Sequence, residues 1–156
     1  MKYVIDTMIL INFSIYLPRN YHPTFWRWLE DQIAQGNIII LDVVVKECRS
    51  NPVKSWVNSK SIKRYIVATD NSIKDRAKEI NSTHGLITEE AGITKSQADP
   101  VIIAYAEMEG HAVFTQERER RAGETRNKIP DVCRSLGVPC ERFPQDILRQ
   151  LSFSPI

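Results

Sequence analysis

Four carboxylates, Asp6, Glu47, Asp99 and Glu117, are set along the chain where chemistry is most often found in an α/β protein. Each falls at the end of an apolar run or in the first turns of the helix after one. In a parallel α/β sheet those positions converge along one edge, in the crevice beyond the carboxyl ends of the strands. Four such groups within a few ångströms would repel and raise one another's pKa, so their assembly is favourable only around cations. An all-oxygen ligand set suits Mg²⁺ or Mn²⁺. Ions of that kind activate water and stabilise the charge developing on a phosphodiester during in-line displacement. The chemistry implied is metal-dependent phosphodiester hydrolysis. Taken singly, each acid also has a plainer reading: Asp6 and Asp99 as helix caps, Glu47 as a solvated helix residue. A capping carboxylate still has acceptor sites free for a metal.

The elements that must position these acids follow from periodicity. Tyr3, Val4 and Ile5 form a short strand that Asp6 closes before the apolar run at residues 8–11. Pro23 is placed to open a helix with Phe25, Trp28, Leu29 and Ile33 on one face and Gly36 as its stop. Tyr16, Tyr21 and Trp26 could pack or stack on nucleobases. Residues 38–41 read as a second strand, buried on both faces, after which Asp42 is expected to cap a helix carrying Lys46 and Glu47 until Asn51-Pro52. Val53, Trp56 and Val57 recur at helical spacing, and residues 65–69 read as an edge strand. The segment 70–72 offers caps for a helix with Ile73, Ala77 and Ile80 inward, ended by His84-Gly85.

A polar connector at 86–97, with room for one further helical turn, leads to the most informative stretch. There Asp99 is expected as cap, Pro100 at the first helical position and Gly110 as the stop. Residues 101–106 are apolar nearly all round, which marks a central, buried helix. The segment 111–115 is another strand, with Glu117 just past its end, and residues 118–128 form a long loop rich in arginine. Arg118, Arg120 and Arg121 are its candidates for contact with a phosphate backbone, against the simpler view of a solvated loop. Ile129-Pro130 restarts a helix with Val132, Cys133 and Leu136 inward, and Asp131 is read as a favourable partner of its dipole. A last strand at 138–143 and a final helix with Ile147, Leu148 and Leu151 on one face complete the series.

With 156 residues, 42% of them apolar, the chain reads as a single domain over residues 1–151 with a frayed tail at 152–156. A formal charge of +2 excludes a generic polyanion binder, so any contact with nucleic acid must come from local clustering. Cys48, Cys133 and Cys140 are an odd number without a CxxC pair, which suggests neither a disulfide framework nor a cysteine zinc site. No apolar run approaches the ~20 residues needed to span a bilayer, and no signal peptide is recognisable, so no membrane partner and a cytoplasmic, reducing location are expected.

The same residues resemble a known family. Val4-Ile5-Asp6-Thr7, a Glu on the helix after strand two, the run Ala98 to Ala104, and Phe114-Thr115-Gln116-Glu117 look like the four motifs of PIN-domain nucleases, in order and at fitting separations, over residues 1 to 143. The resemblance implies a three-layer α/β/α sandwich with a mostly parallel central sheet. It also implies that Asp6, Glu47, Asp99 and Glu117 hold Mg²⁺ or Mn²⁺, supported by Thr7 and Thr115. Many small PIN proteins are VapC-like toxins that cleave RNA and are silenced by a cognate antitoxin, so RNA, an antitoxin and a homodimer are the implied partners. The fourth acid departs from the usual Thr-x-Asp, and Glu117 would ligate directly or through water. The segments Ile129 to Cys133 and Val138 to Cys140 are similar to a less characterised VapC-like branch. An endoribonuclease and a catalytically weak module that binds RNA or a protein both fit these residues.

Overall fold

The computed structural model describes residues 1–49, 51–86, 89–90, 93–94, 97–142 and 148–153. At its centre, β1 (Tyr3–Ile5) is buried at every position because it has a parallel strand on each side and helices on both faces. Its neighbours are β2 (Ile38–Ile39) and β5 (Ala112–Phe114), and β5 in turn pairs with β6 (Cys140–Glu141), giving the order β2-β1-β5-β6 among the described residues. All these pairings are parallel, and the architecture is the expected three-layer α/β/α sandwich. Register is set by pairs such as Val4 with Ile39 and with Val113.

The helices in chain order are α1 (Thr7–Tyr16), α2 (Pro23–Ala34), α3 (Asp42–Glu47), α4 (Asn51–Val57), α5 (Lys60–Lys63), α6 (Asn71–His84), α7 (Ala98–Glu109) and α8 (Ile129–Leu136). Pro23 does open α2, and Asp70 caps α6 by accepting from the Ile73 amide at 2.9 Å. α7 lies against β1 and β5 with α6 packed on it. Its residues from Ala98 to Ala104 are all buried, as the apolar run predicts. Among the described residues no helix is long and apolar enough to cross a membrane.

Several local expectations are corrected. Asp42 is the first helical residue of α3, with Leu41 at the cap position, and its carboxylate accepts from Thr69 Oγ1 at 2.8 Å. Asp99 likewise lies inside α7, one residue past its start, and Gln97 holds the cap position. The 65–69 strand reduces to a single parallel bridge between Leu41 and Val67. In the 86–97 connector the described residues contain β3 (Glu89–Glu90) paired antiparallel with β4 (Ile93–Thr94) in place of a helical turn. Trp26 is not free to stack on a base: it is buried edge-to-face on Trp56 and donates to the Leu17 carbonyl at 2.6 Å.

The last strand is shorter than read, and residues 143–147 of the expected final helix lie outside the described residues. Leu148, Leu151 and Phe153 pack against the core, Phe153 edge-on to Phe25 and Trp28. The residue read as part of a frayed tail is thus seated on α2. Residues 154–156 lie outside the described residues.

Gly110 ends α7 at φ 69°, a conformation that strains any residue with a Cβ. Nothing lies within 4 Å of the position a Cβ would take, so Gly110→Ala carries the backbone penalty alone. A loss of about 1–2 kcal/mol in urea unfolding is expected, with no change in the folded spectrum.

Candidate functional site

The Asp6 amide donates to the Phe114 carbonyl at 3.0 Å, extending the β1–β5 ladder to the point where the chain turns into α1. Asp6 occupies the cap position of that helix, yet its side chain makes no capping hydrogen bond. Instead Oδ2 accepts from Thr115 Oγ1 at 3.0 Å, and the same hydroxyl accepts from the Glu117 amide at 3.1 Å. Thr115 is fully buried, so this link between the first and fourth motifs is rigid. Asp6 is 3% exposed, and its pKa is pushed up to about 6, first by burial and then by the charges of Glu117 and Glu47. The Thr115 hydrogen bond and the nearby Met8 amide oppose that rise without cancelling it.

The two glutamates are docked on helix starts. Glu47, the last residue of α3, accepts from Thr7 Oγ1 at 2.9 Å through one oxygen and from the Ala98 amide at 3.0 Å through the other. It therefore joins the beginning of α1 to the beginning of α7 and satisfies one of the amides a helix leaves open there. Glu117 does the same for α8, accepting from the Ile129 amide at 3.0 Å. Asp99 is 6% exposed in the first turn of α7.

All four acids, with Thr7, line one cleft of about 970 Å³ at the carboxyl edge of the sheet. As placed, no three acidic, histidine or cysteine side chains among the described residues stand close enough to hold a metal ion. The donor set nevertheless fits a hard cation: it is all oxygen, and Asp6 is a buried carboxylate whose neighbours are acids. Closing the set on an ion requires these carboxylates to draw together, with the acceptor sites left over from their helix-amide bonds turned to it.

The arginine loop does not present to this cleft the residues singled out from its sequence. Arg118 pairs with Glu124 at 2.6 Å, and together with Arg120 and Arg121 it lines a second cleft of about 490 Å³. The cations that line the acidic cleft are Lys46, Arg49 and Arg126. Arg126 reaches back across the molecule, Nη2 donating to the Leu86 carbonyl at 3.2 Å, while its buried Nε has no hydrogen-bond partner among the described residues.

A family profile described as a domain of unknown function, DUF4411, matches residues 3–154. The chain belongs to the DUF4411 family. No curated protein matches it. The match takes in all four acids of this DUF4411 chain together with the basic lips of the cleft. Of those basic residues, Lys46 and Arg49 carried a signal in the sequence, because they flank Glu47. Arg126 belongs to the arginine-rich loop 118–128, but nothing local sets it apart from the other arginines there.

Proposed function

We propose that the chain is a metal-dependent endoribonuclease of the PIN type, acting as the toxin of a toxin–antitoxin pair. The observation that carries this reading is the convergence of four carboxylates, from the ends of β1, α3 and β5 and the start of α7, on a single cleft. Mg²⁺ or Mn²⁺ held by Asp6, Asp99, Glu47 and Glu117 would activate water and balance charge on the scissile phosphodiester. The chain's own part is to orient and to attract. Thr115 fixes the rotamer of Asp6, Thr7 and the Ala98 amide hold Glu47, and the Ile129 amide holds Glu117. Lys46, Arg49 and Arg126 bring positive charge to the lips of the cleft, where a phosphate backbone would pass. RNA as the substrate and the toxin role rest on the resemblance to VapC-like proteins.

A second reading, a module that binds RNA or a protein without cleaving it, draws on the hydrogen bonds that already occupy Glu47 and Glu117. Thermal melting with Mn²⁺ separates the two. A ligand that binds only the native state stabilises it by about 2.7 kcal/mol at a hundred times its Kd. The wild type should melt higher with Mn²⁺ and Asp6→Asn should not. A wild type indifferent to Mn²⁺ that still binds RNA would favour the binding module. Arg126→Gln should weaken RNA binding roughly tenfold, the scale of one lost charge-assisted hydrogen bond, and leave the Mn²⁺ response unchanged.

A further inference from the structure

Two thiols that do not line the acidic cleft face each other where α8 meets β6. After α8 the chain reverses at Gly137, and the Val138 amide returns to the Cys133 carbonyl at 2.8 Å. Cys140 then enters β6 opposite Val113. The reversal brings the Cys133 thiol, fully buried, against the half-buried Cys140 thiol, toward which it donates. Cys140 in turn lines the second cleft, beside Arg118, Arg120, Arg121 and Arg142.

The charge around that cleft is unbalanced. Arg118 is held by Glu124, and Glu119, the one acid lining the cleft, is taken by Arg134 at 3.2 Å. Arg120, Arg121 and Arg142 make no side-chain ion pair among the described residues. Such a group of cations draws anionic molecules to the cleft that Cys140 lines. Hydrogen bonding from Cys133 lowers the Cys140 pKa, against burial and the charges of Glu141, Asp6 and Glu117. Cys48 provides the contrast: it is buried and does not line this cleft.

We propose that Cys133 and Cys140 form a redox-active dithiol, a covalent modification site that reacts with small anionic disulfides of the glutathione disulfide type. The arginines bind the carboxylates of the incoming molecule. The Cys140 thiolate attacks one sulfur of the disulfide. A bond forms between them, the original S–S bond breaks, and the departing thiolate takes up a proton from solvent. Cys133 then attacks the Cys140 sulfur, its proton passing to the small thiolate that leaves. The mixed disulfide breaks, the Cys133–Cys140 bond forms and a second small thiolate leaves. Two protein thiols are oxidised and one small disulfide is reduced to two thiols. None of these steps depends on RNA hydrolysis.

The test is to treat the reduced, folded chain with glutathione disulfide near neutral pH, then alkylate, digest and weigh the peptides. A cross-link between the Cys133 and Cys140 peptides, with Cys48 recovered as a free thiol, is the expected result. Cys133→Ala should instead accumulate one glutathionyl group on Cys140. Arg120→Gln combined with Arg142→Gln should slow the reaction with glutathione disulfide roughly tenfold while leaving the rate with uncharged hydroxyethyl disulfide unchanged. Three free thiols in the treated wild type would overturn the proposal, and this readout needs no variant to fold. Equal slowing with both reagents would overturn the role given to the arginines.

Discussion

On the proposed nuclease reading, Asp99→Asn is expected to slow RNA cleavage roughly a hundredfold to a thousandfold or more in single-turnover rate and to leave the protein folded. The expected size is that of losing one preorganised electrostatic group from a water-poor site. Asp99 is 6% exposed in the first turn of α7 and lines the cleft shared with the other three acids. The amide keeps the volume of the carboxylate and loses its charge, so on the proposed reading metal affinity should fall while packing is kept. The start of α7 keeps the bond from the Ala98 amide to Glu47, which the substitution leaves in place. Far-ultraviolet circular dichroism and urea midpoint should therefore stay close to wild type. Cleavage of labelled RNA at the wild-type rate would remove Asp99 from the site and the nuclease reading with it.

Asp6→Asn has the opposite signature, a gain of stability without metal. The Asp6 pKa moves from 3.8 in a free chain to about 6 in the folded protein, first because of burial and then because of Glu117 and Glu47. Between those values the folded state binds more protons than the unfolded one, so the stability contributed by this group falls as pH rises. Below the lower value there is no penalty, and above the higher one the penalty is complete. A shift of about two units corresponds to about 3 kcal/mol. Urea unfolding with a chelator present should show the variant more stable by up to about 3 kcal/mol near pH 7, with the difference fading toward pH 4. Adding Mn²⁺ should narrow the gap from the wild-type side. Equal stability at neutral pH would show that the Asp6 charge is not held at a cost.

The parts of this site that are legible in the sequence are those written in local pattern. Three short runs of apolar residues announce β1, β2 and β5, and the acids at or after their ends follow from chain order alone. The buried helix α7 is equally plain, since residues 101–106 have no polar face. Caps were misplaced by one or two positions at Asp42 and Asp99, because several polar residues could serve and tertiary partners decided. Thr69 takes Asp42, and Glu47, 51 positions from Ala98 in sequence, takes the first amide of α7. No local rule finds such a partner. The arginine loop shows the same limit: composition marks it as basic, but only its folded path sends Arg126 to one cleft and Arg120 and Arg121 to another.

The strand order β2-β1-β5-β6 has a consequence for biosynthesis. β1 leaves the ribosome well before residue 112, where β5 begins, so one of its two hydrogen-bonding edges has no native partner for more than a hundred residues of translation. An apolar strand with an open edge is a template for pairing with other chains. The nascent protein is therefore most exposed to aggregation while α2 to α7 are being made, and slow elongation or late chaperone release over that interval should lower its soluble yield more than the stability of the finished fold would suggest.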